Sequence, residues 1–524
     1  MSDLNQFLDQ YAHILFPPFV FLCWLIGRWL KQASTEPAPE SYRQPQAPAQ
    51  GGLLSRILFH WSQYDQFTIG DLLRSLICLG ASGSGKSSGS LYVIAKALAR
   101  CRKIGGLILA SKPEDREFWQ KSFRQAGRIN DLIIFHPKMP GRFNFIDDIR
   151  KMGGGATEIT EALMVIGETL EQGDGTNRDP FWKEQNKRML HNAVEIVLRA
   201  TGRVTAPDIQ RFIIEAAQTP AALATPEFQR SFHFRCLQAA HQNCKTEIEK
   251  HDFGLAFQYW KDEYPGMADK TRSSIQAGVL GILHIFNVGI VRELVSTTTN
   301  VTPEVMDEGK WILVDMPISS YGASGAFILA GWKYLTQKYI LNRYATEDTA
   351  ATVIWCDEYQ KVANSGDPPF LAECRSHRGC MIVATQSIHS LYTRIQQAGE
   401  HGADALLTNF YHKVAHALGD EKSASYMSSL IGRRLKTRVN VSRGGDESSY
   451  DALYGAPKVT ASTSQSIENI LEPREFMQGL RTGGRAHGYW VDGIVVRSEA
   501  FSTGENYLRC SFSLYFPRLS HSRS

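Results

Sequence analysis

Residues 80–88, G-A-S-G-S-G-K-S-S, combine residue types that bind phosphate groups. Gly80, Gly85, Lys86 and Ser87 fit the four fixed positions of the pattern G-x-x-x-x-G-K-[ST]. Glycines allow a turn tight enough for backbone N–H groups to surround a polyphosphate. The lysine brings a point charge to the β- and γ-phosphates, and the serine hydroxyl takes one position around Mg²⁺. The stretch therefore predicts a site for ATP and Mg²⁺. Its predicted members are Gly80, Ala81, Ser82, Gly83, Ser84, Gly85, Lys86, Ser87 and Ser88.

A second stretch supplies two carboxylates. Residues 352–358, T-V-I-W-C-D-E, read as a hydrophobic strand that ends in Asp357 and Glu358. Downstream of a phosphate-binding loop, Asp357 is predicted to hold the Mg²⁺ shell, and Glu358 to orient and polarise the attacking water. Asp357 follows Lys86 by 271 residues, which is far more than a minimal nucleotide domain needs. We therefore expect a whole helical domain to be inserted between the two halves of the site.

A third stretch, residues 381–387 (M-I-V-A-T-Q-S), is an apolar strand that ends at Gln386. An amide at a strand tip beside the site can sense the γ-phosphate. A residue that only caps the strand end explains the same pattern equally well, so the sequence leaves both interpretations open.

The elements that position these residues alternate between strands and helices. A helix is predicted over residues 87–102, so that its N-terminus adds its dipole to the anion site. Residues 183–199 carry apolar side chains at helical spacing, helical character continues roughly to residue 295, and residues 325–344 predict a long helix. The other predicted strands of an α/β sheet are 75–79, 106–110, 132–135 and 311–315.

Composition and charge fit a cytoplasmic protein with a membrane tether. The 524 residues carry a net charge of only +4, so any binding of nucleic acid must use a local patch. Nine cysteines without a C-x-x-C pair argue against a disulfide framework.

Residues 11–27 are uncharged, near the lower length limit for a membrane span, and Arg28 and Lys31 follow them. We expect one transmembrane helix at about residues 11–29, with an anchor that lies in the membrane surface as the alternative.

These motifs together resemble the type IV coupling proteins of conjugation and type IV secretion systems, the TraD/TraG group of the FtsK/HerA superfamily. Besides the phosphate-binding loop, the resemblance includes C-D-E-Y-Q-K-V-A at 356–363 and R-S-H-R-G-C-M-I-V-A-T-Q-S-I-H-S-L at 375–391. It also includes residues 409–432, and P-F-W at 180–182 is similar to the entry into that family's all-α domain. The similarity extends over roughly residues 53–515.

The resemblance implies an α/β fold: a RecA-like P-loop ATPase core with an inserted all-α domain and an N-terminal transmembrane anchor. We expect an anchor at 1–31, a flexible linker at 32–52, a nucleotide-binding domain at 53–180 and 297–515, an all-α domain at 181–296 and a short tail at 516–524. Arg375 is similar to an arginine that the family has near the subunit boundary, which implies a finger acting on the neighbour's nucleotide. Arg378 is the rival for that role, and both also fit plain surface charges.

The function implied is that of a homohexameric motor anchored in the bacterial inner membrane. It would use ATP hydrolysis to pass its cargo to a type IV secretion channel. The cargo would be either DNA in complex with its relaxase (the relaxosome) or protein effectors. Two alternatives stay open. One is a nucleotide-gated docking platform that moves nothing itself, and the other is a HerA/FtsK-like DNA pump outside conjugation.

Two further clusters are weaker signals. The densest basic stretch either faces a DNA channel through phosphate contacts, without reading sequence, or forms a solvated loop. It contains Arg433, Arg434, Lys436, Arg438 and Arg443. A group of histidines and cysteines in the helical insert does not fit a standard zinc spacing, and a helix interior explains its cysteines better. It consists of His233, Cys236, His241, Cys244 and His251.

Overall fold

The computed structural model describes residues 52–168, 180–395, 400–444 and 458–514. Within these ranges the strands are β1 (Ile57–His60), β2 (Gln66–Thr68), β3 (Leu76–Leu79), β4 (Ile104–Ala110), β5 (Leu132–Phe135), β6 (Trp311–Asp315), β7 (Ala351–Cys356), β8 (Gly379–Thr385), β9 (His412–Ala415), β10 (Arg433–Gly444), β11 (Lys458–Asn469), β12 (Trp490–Val496) and β13 (Tyr507–Ser513).

The helices up to β6 are α1 (Ile69–Leu72), α2 (Ser90–Arg100), α3 (Pro113–Gln125), α4 (Phe145–Lys151), α5 (Ala156–Gly167), α6 (Pro180–Thr201), α7 (Ala206–Ile214), α8 (Pro226–Gln229), α9 (Phe232–Asn243), α10 (Glu247–Gln258), α11 (Tyr264–Gly266), α12 (Asp269–Phe286) and α13 (Gly289–Val295). Those after β6 are α14 (Ile318–Asn342), α15 (Asp367–Glu373), α16 (Ile388–Arg394), α17 (Glu400–Asn409), α18 (Glu421–Ile431) and α19 (Pro473–Gln478).

A nine-stranded sheet in the order β13-β12-β9-β3-β8-β7-β4-β6-β5 positions the site. From β9 to β5 all neighbours are parallel, whereas β12 is antiparallel to β9 and to β13. Parallel strands are covered on both faces, and every residue of β3, β4, β7 and β8 is buried accordingly. The carboxyl ends of these strands meet at one edge of the sheet, here called the carboxyl edge, which is where open α/β sheets bind ligands.

The described part of the chain between β5 and β6 contains helices and no strand. The apolar stripe predicted within α6 is buried, as Met189, Leu190 and Val194 are fully inaccessible. The core of these helices continues into one face of the sheet, and a second core with Trp119, Trp311 and Trp355 covers the other face. The observed helices agree with the helical insert expected from the sequence, and the exact limits of 181–296 stay a prediction.

Three predicted boundaries differ from the structure. The helix expected from Ser87 begins at Ser90, because the chain first turns through Gly89, whose N–H donates to Gly85 O at 2.7 Å. The long helix expected at 325–344 is α14, which starts earlier and bends at Gly322, where φ is +53°. β7 ends at Cys356, so the two acids lie on the turn after the strand.

Among the described residues, no single helix is long and apolar enough to cross a membrane. α12 and α13 meet the criteria of length and composition only together, with a bend of 71° between them. The predicted span at about 11–29, the linker up to residue 51 and the tail at 516–524 lie outside the described residues.

Candidate active site

The loop at 80–88 leaves the carboxyl end of β3 and is held from both sides. Gly80 N–H donates to Thr385 O of β8 at 3.3 Å, and Ala81 N–H donates to Ala417 O, just after β9, at 2.8 Å. Gly85 has φ +88°, a left-handed conformation that glycine adopts without strain. A Cβ on Gly85 would lie 2.7 Å from Val491 Cγ1. The loop therefore requires glycine at this position for both backbone and packing reasons.

Polar groups of this loop fit a polyphosphate. The Ser84 hydroxyl is buried and has no hydrogen-bond partner among the described residues. The N–H groups of Gly85, Lys86 and Ser87 also donate to no acceptor within the described ranges. The Lys86 ammonium donates to Gly80 O and, at 3.1 Å, to Ala81 O, and burial lowers the pKa of Lys86. Donors without an acceptor in such a loop are satisfied when anionic oxygens enter it.

The second half of the site meets the first at Asp357. Ser87 Oγ donates to Asp357 Oδ2 at 2.9 Å, although 270 residues separate the two in the chain. Glu358 N–H donates to the other oxygen, Asp357 Oδ1, at 3.0 Å. A serine hydroxyl beside a carboxylate is the oxygen donor set that Mg²⁺ prefers in nucleotide sites.

Glu358 is held at both carboxylate oxygens. Oε2 accepts from the amide of Gln386 at 3.2 Å and from the amide of Gln360 at 2.5 Å, whereas Oε1 lies 2.8 Å from Lys112 Nζ. Burial raises the pKa of Glu358, but the hydrogen bonds from Lys112 and Gln360 and the charges of Lys112 and Lys361 together outweigh burial, and the net effect lowers it. The residue has φ +63°, a conformation that costs a non-glycine residue roughly 1–3 kcal/mol and is concentrated at functional sites. The side chain is thus an ionised carboxylate in a fixed orientation.

Sequence reasoning missed two residues at this site. Lys112 contacts both acids. It lies two residues after the apolar strand β4, in the segment A-S-K-P-E-D at 110–115, and that position was the available signal, because residues after parallel strands face the carboxyl edge. His416 follows β9 and lies beneath the loop, where a Cβ on Gly89 would come within 3.0 Å of its ring. Burial lowers the pKa of His416 to about 4, so its neutral ring donates from Nδ1 to Asp492 O and accepts from Ser90 Oγ, each at 2.8 Å.

A buried ion pair supports the turn that carries Glu358. Lys333 Nζ of α14 lies 2.5 Å from Asp367 Oδ2, and both side chains are fully inaccessible. The same carboxylate accepts from the Tyr359 hydroxyl at 2.6 Å and from the Gln337 amide at 2.8 Å. Because Tyr359 directly follows Glu358, this network fixes the turn to the long helix.

Arg375 and Arg378 lie away from the site of their own chain. Both precede β8, at the opposite end of that strand from Gln386, and both line a surface pocket of about 600 Å³. Arg378 Nε donates to Thr346 O at 3.3 Å, whereas Arg375 is exposed. The structure therefore brings Lys86, Asp357, Glu358 and Gln386 together and leaves both arginines outside.

The two weaker clusters have structural explanations. The basic stretch lies on β10, which pairs with β11 as an exposed antiparallel hairpin, and Glu468 of β11 forms ion pairs with Lys436 at 3.3 Å and Arg438 at 2.6 Å. His233 is buried in the helical segment, where its Nδ1 donates to Phe212 O at 2.8 Å. Across the described ranges, no group of three or more histidines, cysteines and acids is arranged to hold a metal ion.

Comparison with known proteins identifies the family. The family model for type IV secretory system conjugative DNA transfer matches residues 61–478. The chain belongs to this family. The resemblance to coupling proteins is thereby confirmed, and with it a function in conjugative DNA transfer.

Solved structures show the same fold. The bacterial conjugative coupling protein TrwBdeltaN70, in its unbound monoclinic form, is 13% identical with a TM-score of 0.59, and the match covers 90% of each chain. The plasmid coupling protein TrwB in complex with ADP and Mg²⁺ matches with the same identity and TM-score, over 90% of this chain and 91% of that one. TrwB with a non-hydrolysable GTP analogue matches at 13% identity and a TM-score of 0.57, over 90% and 91%. This likeness confirms the RecA-like α/β core. No curated protein matches the chain in sequence.

Proposed function

We propose that the chain is the ATP-driven motor of conjugative DNA transfer and that residues 80–88, Asp357, Glu358 and Gln386 form its hydrolytic site. The observation that carries this proposal is the contact of 2.9 Å between Ser87 Oγ and Asp357 Oδ2, which joins the two halves of the site. The family membership and the likeness to a coupling protein solved with ADP and Mg²⁺ support it.

In this site the loop N–H groups and Lys86 would bind the β- and γ-phosphates, and Ser87 with Asp357 would hold Mg²⁺. The metal ion, when bound, would supply positive charge that offsets the negative charge developing during phosphoryl transfer. Glu358 accepts a proton from the attacking water and orients it, since both its oxygens are already fixed in one direction. Gln386 donates to Glu358, and its position just after β8 supports a role in sensing the γ-phosphate.

Two substitutions in the full chain test the site. Lys86→Ala should abolish hydrolysis and weaken binding of nucleotide, because the charge on the phosphates is lost. Glu358→Gln should keep the Kd for ATP and lower turnover by about 10²–10⁴-fold, because an amide does not take the water's proton. Near-normal turnover of Glu358→Gln would show that another group is the base.

The assembly and partners are part of the proposal. The motor acts as a homohexameric ring at the inner membrane, anchored by residues 1–31, and transfers DNA with its relaxase to a type IV secretion channel. Deletion of residues 1–52 should give a core that hydrolyses ATP but assembles less readily, because the membrane no longer concentrates the subunits. Recovery of the full-length protein in a salt-washed soluble fraction would contradict the anchor.

A further inference from the structure

Lys112 provides a second ammonium group in the site, opposite the lysine of the loop. It lies between Ala110, the last residue of β4, and α3. Its N–H donates to Asp115 Oδ2 at 3.0 Å, which caps the start of α3 and fixes the backbone at Lys112. Its side chain is 27% exposed, and its charge faces the two most buried carboxylates of the site.

The ammonium of Lys112 contacts both acids at once. Nζ lies 2.8 Å from Glu358 Oε1 and 3.1 Å from Asp357 Oδ2. Lys86 does not make these contacts, because its own ammonium donates to Gly80 O and Ala81 O. Lys112 therefore contacts both adjacent carboxylates and offsets their mutual repulsion.

The two contacts have different consequences for the reaction. At Glu358, Lys112 fixes Oε1 while Gln360 and Gln386 fix Oε2, so loss of the lysine frees one side of the carboxylate. At Asp357, the Lys112 ammonium and the Ser87 hydroxyl both contact Oδ2. Asp357 Oδ2 and Ser87 Oγ are the two oxygens proposed to bind the metal ion. An ammonium and a divalent cation that bind the same carboxylate oxygen compete with each other.

We propose that Lys112 is a positioning residue for hydrolysis. It orients Glu358 and competes with Mg²⁺ for Asp357. When the metal ion binds, the Lys112 ammonium keeps its contact with Glu358 and loses its contact with Asp357. This inference rests on the proposed function of the site. Each consequence has its own readout, because orientation of Glu358 affects kcat, whereas competition at Asp357 affects how strongly Mg²⁺ enhances nucleotide binding.

The experiment compares the full chain with Lys112→Met, Lys112→Arg and a control, Lys121→Met, which removes an exposed lysine from α3, the helix that follows Lys112. ATP turnover gives kcat and KM. A fluorescent N-methylanthraniloyl derivative of ADP gives Kd with and without Mg²⁺, and its binding without Mg²⁺ also shows that each variant is folded.

For Lys112→Met we expect kcat to fall about 10- to 100-fold, as for loss of a group that orients a catalytic ligand, with KM changed far less. The enhancement of ADP binding by Mg²⁺ should increase about fivefold or more, because the competing charge is gone. Lys112→Arg should recover part of kcat, and Lys121→Met should behave as the unmodified chain.

The inference is overturned if Lys112→Met keeps kcat within about twofold of the unmodified chain. It is equally overturned if the enhancement by Mg²⁺ stays the same or decreases. These outcomes differ from failure of the proposed function, because in that case Lys86→Ala and Glu358→Gln would also leave turnover intact.

Discussion

Arg375 provides the sharpest prediction about how neighbouring subunits cooperate. β8 runs from Gly379 to Thr385, and six steps of roughly 3.3 Å each give about 20 Å between its ends. Arg375 precedes the first end and Gln386 follows the last, so an arginine side chain does not bridge that distance within one chain. If Arg375 acts on a nucleotide, it acts on the nucleotide of an adjacent subunit, and the contact between subunits is heterologous and closes into a ring.

Mixing two inactive variants tests this arrangement. Arg375→Ala should lower turnover by about 10³–10⁵-fold, the range for loss of an arginine finger, and Lys86→Ala should be inactive as well. In rings assembled at random from equal amounts, half the sites have an intact Lys86 and half of those face an intact Arg375. About a quarter of the sites are then complete, so turnover should recover to roughly a quarter of the unmodified value.

The assay is ATP turnover of the mixture after co-assembly has been shown with two differently tagged chains. Arg378→Ala is the matched control, because Arg378 lines the same pocket and already donates to Thr346 O. No recovery in co-assembled rings would refute action in trans. If each site took Lys86 and Arg375 from the same subunit, every site in the mixture would lack one of the two residues. Recovery with Arg378→Ala in place of Arg375→Ala would move the role to Arg378.

Three further predictions concern the site and its support. Gly85→Ala should abolish nucleotide binding, because the added Cβ would clash with Val491. Gly83→Ala is the control for backbone strain alone, because Gly83 has φ +74° but open space around it. Equal losses of binding in both variants would show that the clash with Val491 is unimportant. Lys333→Met should destabilise the fold by about 3–5 kcal/mol in urea unfolding, because Asp367 stays buried without its cation; an unchanged midpoint would contradict the buried pair. Burial holds the pKa of three histidines between about 3 and 4 in the folded chain, against 6.5 otherwise, so these side chains themselves should take up about two to three protons on unfolding at pH 5. Their contribution to stability should therefore be full above pH 6.5 and fall as the pH decreases toward 4, whereas Asp115 and Asp148, whose pKa burial raises to about 7, contribute in the opposite direction. An NMR titration of the folded chain in which the three rings take up protons near pH 6.5 would contradict neutral burial. These histidines are His233, His412 and His416.

The sequence predicted those parts of the site that depend on local patterns. The spacing of Gly80, Gly85 and Lys86 follows from the turn that a polyphosphate requires, and Asp357 and Glu358 stand out because two acids follow an apolar strand. The separation of 271 residues between Lys86 and Asp357 predicts a helical insert, which the family resemblance also implies, and the structure has helices in that stretch of the chain.

The remaining features depend on which strands become neighbours. β3 lies between β8 and β9, which follow it by some three hundred residues, so the placement of Gln386 and His416 beside the loop is a consequence of sheet order. Lys112 follows an apolar strand in the sequence, but its contact with both acids depends on the pairing of β4 with β7. The left-handed backbone of Glu358 and the separation of Arg375 from its own site likewise depend on the folded chain.

The most direct test of the motor is ATP turnover of the full-length protein with and without DNA. The account predicts that DNA stimulates turnover and that Glu358→Gln lowers both the basal and the stimulated rate by about 10²–10⁴-fold. A docking platform that only binds nucleotide has no need for such stimulation. Turnover that is the same with and without DNA, in a protein shown to bind DNA, would contradict an ATP-driven DNA motor.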